Sequence, residues 1–151
     1  MVHADMSVTI ERAAATDLPA ILDLLRRSAL PPTGLDAHLA TTLAARDGAR
    51  VVGCAALELY GSSALLRSVA VDAERRGEGL GRRLTQHACD LGRARGVRTV
   101  YLLTTTAGDF FPRLGFRAIG RAEVDAAVRQ SVEFTTACPA DALVMRRELE
   151  P

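Results

Sequence analysis

The chain contains no lysine, no asparagine and no tryptophan. Without lysine there is no Schiff-base amine, no lysine general base and no phosphate-loop lysine, so a G-x-x-x-x-G-K-[ST] nucleotide site is excluded. Lysine and asparagine both have A-rich codons, and their joint absence points to a GC-rich bacterial genome. Aromatic residues are only 4% of the chain, two tyrosines and four phenylalanines, which leaves few platforms for stacking on bases. The cysteines are Cys54, Cys89 and Cys138, an odd and scattered set with no C-x-x-C pair. A cysteine zinc site, and any metal, is therefore not expected, and a reducing cytoplasm is the expected setting. There is no basic-then-apolar leader and no apolar run of about 18 residues, so neither a signal peptide nor a membrane span is expected.

What is present is an ordinary globular composition, 48% hydrophobic and 25% charged over 151 residues, the length of one domain. Residues 1–6 read as a tail to it. All 19 basic residues are arginine and the formal net charge is only +1, which argues against a nucleic-acid partner.

Hydrophobic periodicity orders the chain. Ser7 to Ala13 alternates and reads as a strand. A helix follows, with Thr16 as N-cap, Pro19 near its start and an apolar stripe of Leu18, Ile21, Leu22, Leu25 and Leu30. Pro31 to Leu35 breaks it, and a short helix is expected over Asp36 to Leu43. The turn pair Asp47–Gly48 introduces a strand, Ala49 to Gly61, with Val52, Cys54, Ala56, Glu58 and Tyr60 on one face. A turn at Gly61 to Ser63 leads into a second strand, Ala64 to Asp72, forming a hairpin. A glycine-rich segment then opens a helix with the stripe Leu80, Leu84, Ala88 and Leu91, stopped by Gly96. Val97 to Thr106 reads as a central strand. A short helix ends at Gly115, a strand starts at Phe116, Glu123 to Arg129 reads as helical, and Asp141 to Leu149 reads as a last strand.

The densest signal is Ala73 to Leu84, AERRGEGLGRRL, with Gly77, Gly79 and Gly81 among Arg75, Arg76, Arg82 and Arg83. Glycines that admit close backbone approach, followed by a helix N-terminus, make an anion site. A dinucleotide fingerprint from Gly77-x-Gly79 requires glycine at 82, where Arg82 stands, and needs a βαβ unit rather than a hairpin. The remaining pattern is R-x-x-G-x-G, here Arg76, Gly79 and Gly81, behind a strand ending Ser68 to Asp72.

This pattern resembles the acetyl-CoA site of the GNAT superfamily of N-acetyltransferases. A second block, Ala107, Phe110, Phe111, Gly115 and Phe116, resembles the family's A-x-x-F-Y-x-x-x-G-F, with Phe111 where tyrosine is common. The resemblance implies an α+β fold of the α/β class. Its core is a central, mixed, mostly antiparallel sheet of six to seven strands with about four helices. It also implies acetyl-CoA as co-substrate. The backbone amides of Gly77, Glu78, Gly79, Leu80, Gly81 and Arg82, with Arg76, would hold the coenzyme A diphosphate. The strand Val69, Ala70 and Val71 would bond the pantetheine arm, and Thr105, Phe110 and Phe111 would complete the cofactor contacts.

Acetyl transfer to an amine needs a base, a polarised thioester oxygen and an acid for the leaving thiolate. Phe111 cannot be the acid. Tyr60 is the first candidate to replace it and Tyr101 the second. Glu58 is the candidate base, although a strand-end carboxylate paired with arginine also suits it. Arg67 lies within an apolar strand, where an unpaired charge is costly. It either binds an acidic group of the acceptor, together with Glu58 at the amine, or pairs with Glu58. His87 reads as a surface residue.

Narrower strings resemble the small GNAT subgroup encoded with arsenic-resistance operons: LELYG at 57–61, ALLRSVAV at 64–71, YLLTTTA at 101–107, FF at 110–111 and EFTTACPADA at 133–142. That resemblance implies a small amino-acid-like amine, such as an arsenical or a phosphinothricin-type compound, as acceptor. Acetylation of a protein amine and a non-catalytic coenzyme A sensor are the alternatives. A monomer or homodimer without membrane or nucleic-acid partners is expected.

Overall fold

A computed structural model describes residues 8–105, 108–137 and 141–150. The expected tail, Ala107 of the second block and Cys138 lie outside the described residues. The strands are β1 (Val8–Arg12), β2 (Thr42–Asp47), β3 (Arg50–Tyr60), β4 (Ser63–Val71), β5 (Thr99–Thr104), β6 (Arg117–Ile119) and β7 (Leu143–Glu148). They form one seven-stranded sheet in the order β1-β2-β3-β4-β5-β7-β6. β4 and β5 are parallel, whereas β1/β2, β2/β3, β5/β7 and β6/β7 are antiparallel. The expected mixed, mostly antiparallel sheet is therefore present. Four helical segments stand where four are expected. Two are α-helices, α1 (Leu18–Arg27) and α2 (Leu80–Ala94), and two are tighter 3-10 segments, Leu35–Thr41 and Phe111–Leu114.

Two local readings are corrected. The N-cap of α1 is Asp17 rather than Thr16; Asp17 accepts the Ala14 amide at 2.7 Å, and Pro19 sits in the first turn. α1 also ends at Arg27, short of Leu30, because Ala29 turns left-handed at φ 58°. The Leu30 amide bonds the Leu25 carbonyl at 2.9 Å and the Ala29 amide bonds that of Arg26 at 3.1 Å. This Schellman ending returns Leu30 to the apolar stripe without extending the helix. The second correction is β2, which overlaps the helix expected to Leu43. Its first four residues are buried, so no alternation marks it as a strand.

The chain divides into two compact units, and β3, β4 and α2 contribute residues to both. In the first, residues 8–56 and 68–88, the core gathers Ile21, Leu24, Leu25, Leu35, Ala44, Val51, Cys54, Ala56 and Ala70. Gly53 is required there. A Cβ on it would lie 2.9 Å from Leu84 Cδ1 and 3.2 Å from the Ala70 carbonyl, so only glycine lets α2 pack this close to β3. In the second, residues 57–67 and 89–150, the core is Leu65, Tyr101, Val124, Val128 and Val144, with Tyr60 and Phe134 packed on it.

Candidate active site

In the first unit, β4 delivers the chain to the glycine loop. Ser68 interrupts β4 with φ 60°, a left-handed conformation rare for a side chain other than glycine, and its carbonyl accepts from Cys54 Sγ at 3.2 Å. The parallel ladder with β5 covers Ser63–Leu66, while β4 runs on to Val71. Within that continuation Ala70 is buried and Val69 and Val71 are half-buried.

Asp72 pins the junction of strand and loop. Its amide donates to the Val52 carbonyl at 2.8 Å. Its carboxylate accepts the Glu74 amide at 3.0 Å and pairs with Arg50 at 2.9 Å and Arg27 at 3.9 Å. The Glu74 amide, then Arg50 and Arg27, hold this carboxyl below its usual range although burial opposes them. Arg75 pairs with Asp47 and lies 3.8 Å from Glu78. Arg76 is exposed and donates to the Val71 carbonyl at 3.3 Å.

Gly77 and Gly79 take φ 86° and 80°, and a Cβ on either would meet nothing within 4 Å. The space above both is open. Leu80 is buried and anchors the start of α2, while Gly81 and Arg82 lie in its first turn. First-turn amides have no carbonyl within their own helix to bond, and the helix dipole concentrates positive potential there. A backbone concavity with this polarity fits a diphosphate, which brings charge to the amides and needs no side chain between.

In the second unit, a polar cluster is sealed into the protein. Arg67 Nη1 lies 2.9 Å from Glu58 Oε2, and Arg67 Nη2 lies 3.4 Å from Glu133 Oε2. The side chains of Arg67, Glu58 and Glu133 are 0%, 1% and 6% exposed, so none meets bulk water. The Tyr60 hydroxyl donates to Glu58 Oε1 at 2.5 Å and is hydrogen-bonded to the Ser131 side chain. Tyr60 is half-buried. Burial, then the hydrogen bond and charge of Glu58, push its phenol up to about 12, against Ser131 and Arg67. The phenol therefore keeps its proton at neutral pH. A base arriving at Tyr60 gives a proton to its oxygen while Tyr60 passes its own to Glu58. This relay reaches a carboxylate that no acceptor can touch directly.

Phe111 is buried at the start of its 3-10 segment, edge-on to Phe110 at 5.0 Å and to Phe116 at 5.7 Å between ring centroids. Gly115 closes the segment at φ 91°. Thr105 is exposed just beyond β5.

A family model described as an acetyltransferase (GNAT) domain matches residues 38–118. The chain belongs to the GNAT acetyltransferase family. An amino-acid acetyltransferase of Neisseria meningitidis is 27% identical over 128 residues, 78% of this chain and 29% of that relative. The GNAT chain also superposes on N-acetylglutamate synthase from Neisseria gonorrhoeae, a structure with coenzyme A and N-acetyl-glutamate. There the TM-score is 0.83 at 23% identity, over 95% of this chain and 35% of that one. A Mycobacterium tuberculosis protein solved in complex with CoA and NLQ superposes with TM-score 0.79 at 25% identity, over 94% of this chain and 99% of that one. The chain spans about half or less of the length of the curated relatives it matches, 53% and 29%.

The structure brings together Glu58, Tyr60 and Arg67, and separately Val69 to Val71 with the Arg76–Arg82 loop. Tyr101 stays apart, buried in the hydrophobic core of the second unit. His87 is exposed, as expected. Glu133 and Ser131 were not anticipated. Glu133 lies in a π-helical turn, Glu133–Ala137, and only its pairing with Arg67 marks it. Burial pushes the Cys54 thiol up to about 12 and raises that of Cys89, which removes both as nucleophiles. Among the described residues no cluster of three metal-ligating side chains occurs, and no helix is long and apolar enough to cross a membrane.

Proposed function

We propose that the protein transfers the acetyl group of acetyl-CoA to the primary amine of a small, amino-acid-like molecule. The observation that carries the reading is the loop Arg76–Arg82, two left-handed glycines with open space above them at the start of a helix. Acetyl-CoA supplies the activated acetyl group. The chain's own residues hold the diphosphate with the amides of Gly77 to Arg82, and bond the pantetheine arm along Val69 to Val71. Phe110, Phe111 and Thr105 complete the donor contacts. Tyr60 takes the proton of the attacking amine and passes its own to Glu58, which acts as the base. The similarity to a relative named amino-acid acetyltransferase supports the acceptor class. The strings LELYG, ALLRSVAV and EFTTACPADA support a narrower acceptor, an amino-acid-like arsenical or phosphinate, in a bacterial cytoplasm.

The test is thiol release from acetyl-CoA across a panel of amino acids and phosphinothricin-like amines. Turnover on at least one such amine is expected. Donor binding without thiol release on any of them would favour a coenzyme A sensor and end this reading.

A further inference from the structure

The relay uses Tyr60 and Glu58, yet a second carboxylate is buried beside them. Burying Glu133 costs desolvation, and ion pairs of this kind often return no net stability. Its geometry suggests what it contributes. A guanidinium fork matches one carboxylate with two parallel bonds. Here the fork is divided: Nη1 goes to Glu58 Oε2 and Nη2 to Glu133 Oε2. The other oxygen of Glu58, Oε1, holds the Tyr60 hydroxyl. The same short span also reaches Tyr60, because Ser131 bonds its hydroxyl and the Glu133 amide donates to Ser131 Oγ at 3.1 Å.

We infer that Glu133 is a positioning residue for proton transfer. By holding one arm of Arg67 it keeps the guanidinium from closing on both oxygens of Glu58, and so keeps Oε1 for Tyr60. This deepens the transferase reading and rests on it. The groups facing Tyr60 are Glu58 from β3, Arg67 from β4 and Ser131 from the span before Glu133. Neutralising Glu133 lets the whole charge of Arg67 act on Glu58, which becomes a weaker proton acceptor and a weaker partner for Tyr60.

The chain suits a direct test, because it has two tyrosines and no tryptophan. In a Tyr101→Phe background, phenolate absorbance in the near ultraviolet reports Tyr60 alone, with circular dichroism monitoring the fold. Glu133→Gln is expected to lower the Tyr60 midpoint by about one pH unit. Glu133→Asp, which keeps the charge on a shorter stem, is expected to lower it less. In turnover, Glu133→Gln is expected to reduce kcat about tenfold or more and move the acid limb of its pH profile to lower pH, with KM for acetyl-CoA unchanged. An unmoved Tyr60 midpoint in the folded glutamine variant would overturn the inference. Should that variant not fold, an unmoved midpoint in Glu133→Asp would do so. A shifted midpoint in a protein that acetylates no amine would overturn the transferase reading and leave the division of Arg67 standing.

Discussion

Arg67, Glu58 and Glu133 form a buried charged network in the second unit, at a position where apolar residues of similar volume would serve stability as well. Its cost makes sense if the network sets the protonation of Tyr60. Tyr60→Phe keeps the ring and its packing but deletes the relay oxygen. Turnover is expected to fall roughly a hundredfold while acetyl-CoA affinity holds. Steady-state kinetics beside calorimetry checks this, and an unchanged kcat would remove Tyr60 from the reaction. Part of this was legible in the sequence. Glu58 and Tyr60 share one strand face by simple alternation, and an arginine in ALLRSVAV announces a buried partner. Ser131 and Glu133 were not legible, because they approach Arg67 only through tertiary contact across more than half the chain. No local pattern marks a π-helical turn.

At the scale of elements, the end of β4 and the loop after it are held by Asp72, while α1 is held by Asp17, the partner of Arg46. Both carboxyls are held below their usual range, Asp17 chiefly by the Arg46 hydrogen bond and Asp72 chiefly by the Glu74 amide. A depressed folded value means that each contributes stability in full above its unfolded pKa of about 3.9. That contribution is lost as the pH falls through the folded value. Urea midpoints measured from pH 7 downward are therefore expected to drop below about pH 4. The substitution Asp72→Asn is expected to cost about 1–2 kcal/mol at pH 7 and to flatten that drop. An acid dependence as steep in the variant as in the wild type would contradict this role. The glycine loop and α2 were legible because glycine spacing and a helical stripe are local signals. β2 was not. Its run Leu43, Ala44 and Ala45 is buried without alternation, and only pairing with β1 and β3 makes it a strand.

At the scale of the whole molecule, the absence of lysine has a practical consequence for a protein proposed to acetylate amines. The chain offers acetyl-CoA no ε-amine of its own, so its α-amine aside, thiol release reports the added acceptor. The fold was legible as a family because two short blocks, Arg76 to Gly81 and Phe110 to Phe116, keep their order and spacing, and the matched region 38–118 contains both. The acceptor is less legible, since residues that choose it need only meet in space. The central claim is that the Arg76–Arg82 loop holds the donor. Calorimetric titration of acetyl-CoA into the wild type and Gly79→Glu tests it most directly. The substitution forces a side chain into a left-handed position and sets a negative charge where the diphosphate is placed. Saturable binding at tens of micromolar or tighter is predicted for the wild type, on the order of known substrate affinities, with none detectable in the variant. Equal binding in both, or none in the wild type, would contradict the claim.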